Sequence, residues 1–148
     1  MSDTALYQQV VLDHYRAPRN RGSLPSCTHA ADGANPLCGD SLRIELRCVD
    51  ERIAELRFSG DACAVATATA SMLGERVAGL AREEIAALAE RFERAIGEGI
   101  DDAALGALNA LCALKQYPSR RKCALLPWAT LRAALDGAAR ATTEPESA

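Results

Sequence analysis

No two of the six cysteines in this chain are spaced as Cys-x-x-Cys, so the compact signature of a zinc ribbon or a dithiol redox centre is missing. Aromatic residues make up only 4% of the 148 positions, and a core must therefore be built mostly from Ala, Leu, Ile and Val. No apolar run approaches the roughly 20 residues that a membrane helix requires. Positive charge is not in excess. The formal net charge is −3 and the pI about 5.4, which argues against a nucleic-acid binder. The opening Met-Ser-Asp-Thr does not present a basic region followed by an apolar stretch, so no secretory signal is read there. These absences leave a cytoplasmic location, without membrane or nucleic-acid partners, as the expectation.

The cysteines at 27, 38, 48, 63, 112 and 123 take their meaning from that compartment. Cytoplasmic thiols stay reduced, and these are too scattered for a small disulfide framework. Metal or sulfur chemistry is the better reading.

The hydropathy pattern divides the chain in order. Residues 4–16 carry Leu6, Tyr7, Val10, Val11 and His14 at helical spacing, and Pro18 ends that segment. His14 on the apolar stripe reads as a buried or half-buried structural histidine. From Ser41 the period becomes two. Leu42, Ile44, Leu46 and Cys48 share one face, and Ala54, Leu56 and Phe58 share one face beyond the Asp50-Glu51-Arg52 turn. This predicts a β-hairpin with one dry face, and residues 28–34 are a candidate third strand.

The remainder predicts helices over residues 63–80, 82–96 ending at Gly97, 102–114, and Cys123 to Ala139. Pro127 is tolerable in the last of these only within its first turn. The expected fold is α+β, a small antiparallel three-stranded sheet with helices packed on one face. One domain over residues 1–140 with a disordered tail at 141–148 completes the expectation.

The hairpin gathers chemistry at one end. A turn centred near residue 50 sets position 42 opposite about 58 and position 40 opposite about 60. Cys38 is then carried close to Cys63, although 25 residues separate them. Gly39 lets the backbone bend so that Cys38 and Asp40 converge. Cys63 opens a helix, where a thiolate is favoured. Cys123 sits near another predicted helix start after Arg120, Arg121 and Lys122, whose cations are expected to stabilise its thiolate. Three thiolates and one carboxylate fill a tetrahedral shell as zinc prefers, and a [2Fe–2S] cluster suits the same donors. Spacing alone leaves open whether these are metal ligands or three core cysteines.

Three ordered motifs then carry a resemblance. Leu6-Tyr7, Leu12-Asp13-His14-Tyr15-Arg16 and Pro18-Arg19-Asn20 form an N-terminal signature. Asn35-Pro36-Leu37-Cys38-Gly39-Asp40, then Gly60-Asp61-Ala62-Cys63-Ala64 with Thr69-Ala70-Ser71, then Arg121-Lys122-Cys123-Ala124-Leu125-Leu126 follow. Together they resemble the U-type iron–sulfur cluster assembly family (NifU N-terminal domain, IscU, SufU) over nearly the whole chain. The resemblance implies Cys38, Asp40, Cys63 and Cys123 as metal ligands. It also implies a SufS-like cysteine desulfurase and downstream iron–sulfur assembly proteins as partners.

Lys122 stands where members of the cluster-building type carry histidine. The 60 residues between Cys63 and Cys123 leave room for an added helical segment. Both features are similar to the SufU branch, which implies a zinc-dependent sulfurtransferase that accepts persulfide sulfur. Cys38, on a flexible turn, is then the expected catalytic acceptor, freed when a partner supplies a replacement ligand. The alternatives are a [2Fe–2S] or iron-binding scaffold and a structural zinc module. Cys27, Cys48 and Cys112 match no motif. Cys48 and Cys112 read as small hydrophobes, and Cys27 as incidental.

Overall fold

The computed structural model describes residues 3–143. Helix α1 (Asp3–Arg16) leads into strands β1 (His29–Asn35), β2 (Asp40–Val49) and β3 (Arg52–Asp61). Helices α2 (Ala64–Arg76) and α3 (Arg82–Glu98) follow, then a 3₁₀ segment (Ala103–Gln116), helix α4 (Pro118–Leu135) and a short strand β4 (Arg140–Thr142). The class is α+β, as the sequence predicts.

The sheet runs in the order β3-β2-β1-β4, with β1–β2 and β2–β3 antiparallel and β4 parallel to β1. The fourth strand draws on residues expected to be tail. Ala141 and Thr142 pair with Gly33 and Ala34, and the Thr143 N–H donates to the Ala34 carbonyl. The tail expectation for residues 144–148, like the first two residues of the expected domain, lies outside the described residues.

The hairpin register differs from expectation in an instructive way. Asp50 and Glu51 both take positive φ, 53° and 65°, as a two-residue type I′ turn requires. Val49 pairs Arg52 and Cys48 pairs Ile53, but Arg47 pairs Glu55. Ala54 is therefore an extra residue, a β-bulge that reverses the facing of β3 at that point. Ile53 turns inward in its place, with 2% of its surface exposed, while Ala54 is exposed. Beyond the bulge Leu42 meets Gly60 rather than Phe58, and Ser41 meets Asp61. The displacement brings Cys63, three residues after Gly60, level with Asp40.

Leu42, Ile44, Leu46, Ile53, Leu56 and Phe58 make the dry face of the sheet and join one core with Leu73, Phe92, Leu126 and Trp128. Helix α4 packs on β1 and β2, with α2 beside it, while α1 packs on α2 and on the 3₁₀ segment. Close approach of α4 to β1 depends on Gly33, because a Cβ there would run into the Thr130 hydroxyl. The aromatic shortage is met by concentration, with the Phe92 and Trp128 rings in tilted contact at 5.3 Å between centroids.

Several helix boundaries depart from the sequence reading, α2 ending at Arg76 rather than 80 and α4 at Leu135 rather than 139. Gly97 lies inside α3, and the left-handed stop is Gly99 at φ 72°. Residues 103–116 wind as a 3₁₀ segment interrupted by a kink at Gly106. Helix α4 starts at Pro118, five residues before Cys123, so Pro127 stands in its interior. Its ring nitrogen carries no proton for the Cys123 carbonyl one turn back, and the helix continues because its apolar face is buried. Among the described residues no helix is long and apolar enough to cross a membrane.

Candidate metal centre

One end of the sheet collects four chain segments. Asn35, the last residue of β1, pairs with Asp40, the first of β2. The turn between them closes through the Cys38 N–H, which donates to the Asn35 carbonyl at 3.2 Å. Pro36 presets the φ that the second position of such a turn requires, and Gly39 takes φ 71°. Cys38 is thereby held on an exposed tip beside Leu37, which is 73% exposed.

Asp40 faces the interior, with 4% of its surface exposed. Its Oδ1 accepts the backbone N–H of Cys63 at 2.8 Å. Its Oδ2 is buried without a hydrogen-bond partner. Cys63 is the N-cap of α2, where its sulfur accepts the Ala66 N–H at 3.5 Å. Cys123 arrives from α4 and is fully buried, with its sulfur 3.5 Å from that of Cys38.

The structure brings Cys38, Asp40 and Cys123 together, with one donor atom from each lying within 4.8 Å of the others. Cys63 adjoins this group through a hydrogen bond from the Cys123 thiol but stands outside that mutual radius. Zinc at its usual ~2.3 Å from sulfur places tetrahedral thiolates about 3.8 Å apart, close to the 3.5 Å between Cys38 and Cys123. The donor chemistry therefore fits a borderline-soft cation, and the orphaned Asp40 oxygen is the strongest sign of it. A buried acceptor without a partner is costly, and a divalent ion bound at this point would satisfy it.

The two inner thiols divide their proton unequally. The hydrogen bond from Cys123 lowers the Cys63 pKa to about 6, helped by the Ala66 N–H against the cost of burial. The same bond, followed by burial, raises Cys123 above its ordinary value. This corrects the expectation that the neighbouring cations favour a Cys123 thiolate. Cys123 is not at a helix start but in the second turn of α4, so it loses the helix-terminal field. Of the basic run, Arg120 has its guanidinium held more firmly charged by Cys63 and by a hydrogen bond to Cys123.

Sequence reasoning missed two residues here. The buried Asn35 side chain donates from Nδ2 to the Cys123 sulfur at 3.6 Å, a contact that its place before Pro36 does not signal. Tyr7 of α1 stacks on Tyr117 at 6.1 Å. Burial raises its phenol pKa, and the thiols of Cys63 and Cys123 add smaller contributions in the same direction. The other cysteines lie elsewhere. Cys27 donates to Glu45 Oε2 at 3.6 Å, Cys48 packs against the core and Cys112 is buried within it.

Comparison with known proteins gives a consistent result. The family model described as NifU-like N terminal domain matches residues 6–124. The iron-sulfur cluster assembly scaffold protein IscU of Thermotoga maritima is 34% identical over 131 residues, covering 88% of this chain and 92% of that one. The zinc-dependent sulfurtransferase SufU of Bacillus subtilis is 34% identical over 128 residues, covering 85% and 86%. Among solved structures, a putative scaffold protein for the SUF system from Fervidobacterium islandicum superposes with a TM-score of 0.82 at 27% identity, covering 90% of this chain and 99% of that one. A NifU-like N-terminal protein from Brucella abortus, at 18% identity, shares the fold with a TM-score of 0.82 over 92% and 96%.

Proposed function

The chain belongs to the NifU-like N-terminal domain family and is an iron–sulfur cluster assembly protein of the IscU/SufU type, within which we propose that it acts as a zinc-binding sulfur acceptor. One observation carries the reading: a single exposed thiol, Cys38, stands at the rim of an otherwise buried donor set. Cys38, Asp40, Cys63 and Cys123 are the proposed ligands, with Cys63 turning its sulfur from the α2 cap to complete the shell. Zinc, when bound, keeps thiolates deprotonated without redox chemistry of its own.

The chain's own residues account for the rest. Gly39 and the turn around it let Cys38 leave the donor set while Asp40 and Cys123 remain on regular elements and Cys63 at the N-cap of α2. The freed Cys38 thiolate attacks the outer sulfur of a persulfide on a cysteine desulfurase of the SufS kind. A new S–S bond forms on Cys38, the donor's S–S bond breaks, and the donor cysteine departs as a thiolate. Exposure of Leu37 beside it gives the partner an apolar contact next to the reacting sulfur. The accepted sulfur then passes to downstream iron–sulfur assembly proteins.

The support within the family is the zinc-dependent SufU relative and Lys122 in the position before the third cysteine. A second reading rests on the IscU relative, which is equally identical. Three thiolates also suit a [2Fe–2S] cluster assembled here and handed on.

The deciding experiment is metal analysis of protein purified with and without air, followed by incubation with a desulfurase and cysteine. About one zinc per chain, no visible chromophore, faster desulfurase turnover and an added sulfur on the Cys38 peptide support the acceptor. Cys38→Ala retaining full sulfur uptake overturns the assignment of Cys38. Iron with acid-labile sulfide and an unstimulated desulfurase establishes the scaffold instead.

A further inference from the structure

Asn35 occupies a place that turn formation alone does not explain. Its side chain has no exposed surface, a setting in which amides are normally fully hydrogen-bonded. Yet its Oδ1 has no partner, and its Nδ2 is spent on a sulfur, Cys123 Sγ at 3.6 Å, across 88 residues of sequence. Its backbone carbonyl meanwhile accepts the Cys38 N–H. One residue thus closes the turn that carries the exposed thiol and donates to the buried one. An N–H bond to a thiolate is charge-assisted. It draws electron density from the sulfur that receives it and lowers that sulfur's nucleophilicity most. Among the described residues no side-chain amide donates to Cys38.

We infer that Asn35 is a positioning residue that tells the two adjacent thiolates apart, fixing Cys123 as the unreactive anchor of the site so that Cys38 is the one that reacts. The idea rests on the metal-centre reading above for its purpose, but the hydrogen bond itself is present without metal. The two therefore fail separately. Loss of zinc binding or sulfur uptake in the parent protein counts against the function, whereas the Asn35 role is read from individual cysteines.

The test uses Asn35→Leu, which keeps the size of the side chain and all of its backbone bonds. Alkylation by iodoacetamide at a fixed pH is followed by mass spectrometry for each cysteine peptide in zinc-loaded protein, where the coordinated sulfurs are thiolates. In the variant, Cys123 is expected to react about tenfold faster, the worth of one hydrogen bond to a charged sulfur, with Cys38 unchanged. Its cobalt-substituted form is expected to show a shifted sulfur-to-metal absorption band. An unchanged Cys123 rate overturns the inference, as does a parallel rise at Cys38, Cys63 and Cys123, which is the mark of general loosening. A measurement on the parent protein covers the case in which the variant does not fold. With an NMR-active cadmium isotope bound, the Asn35 side-chain amide proton is expected to show scalar coupling to the metal through the Cys123 sulfur, and absence of that coupling overturns the inference.

Discussion

Asp40 holds Cys63: one oxygen of its buried carboxylate accepts the cysteine's backbone N–H at 2.8 Å, and the other is buried without a partner. The first and second cysteine motifs are thus joined before any metal arrives. The two oxygens have separable roles, and substitution can test each. Asp40→Asn retains an acceptor for Cys63 while removing the charge. Asp40→Ala removes both. Zinc affinity, measured by competition with a chromophoric chelator, is expected to fall in both variants. Thermal unfolding of the metal-free protein should show a loss of about 1–3 kcal/mol for Asp40→Ala only, the cost of stranding a buried donor.

The unequal sharing of a proton between Cys63 and Cys123 predicts a pH-dependent reactivity. In metal-free protein, Cys63 is expected to react with iodoacetamide as a thiolate with a midpoint near pH 6, because the Cys123 thiol donates to it. Cys123→Ala removes that donor, and the Cys63 midpoint then rises toward the ordinary 9.0. A midpoint that stays put shows that the α2 cap alone sets it.

His14 links α1 to the rest of the molecule. Its Nδ1 lies 2.7 Å from the Ser71 hydroxyl, which also accepts the Arg19 N–H at 2.8 Å and so ties the end of α1 to α2. Burial, then Arg19, lowers the His14 pKa below 6.5, with Asp13 and Glu75 opposing. A lowered histidine stabilises the fold above its ordinary pKa, and the contribution is lost as pH falls through the folded value. The melting temperature of the parent protein is therefore expected to drop more between pH 7.5 and 5 than that of His14→Gln. Equal drops in the two proteins contradict this role.

Gly33 tests how the sheet seats its main helix. A methyl group at this position meets the Thr130 hydroxyl and crowds the Leu126 side chain. Gly33→Ala is expected to cost about 1–3 kcal/mol, as overpacking does, and Gly33→Ala combined with Thr130→Ala, which removes the obstructing hydroxyl, should recover part of it. Chemical denaturation of the three proteins at one pH gives the comparison.

Much of this molecule can be read from short stretches of sequence. Alternation in Leu42, Ile44 and Leu46, the helical spacing of α1 and α3, and the Cys38-Gly39-Asp40 turn depend on residues within a few positions of each other. The α+β class and the identities of the proposed ligands follow from such local periods and motifs, together with the order of the motifs. The sequence reading failed where two local rules gave compatible answers. Gly97 and Gly99 both qualify as a helix stop, and Pro127 marked a boundary that burial of α4 overrode. The bulge at Ala54 was hidden because Ile53 and Ala54 are both apolar enough to face inward.

What the sequence determined by itself is the set of groups and the elements that bear them, since backbone propensity and hydrophobic period act between neighbours. Only the tertiary structure decided which groups meet. The bulge sets Cys63 level with Asp40, and α4 lying on β1 carries Cys123 to Cys38 and to the amide of Asn35, 88 residues away. Those contacts arise from the packing of whole elements on one core, so no stretch of neighbouring residues encodes them.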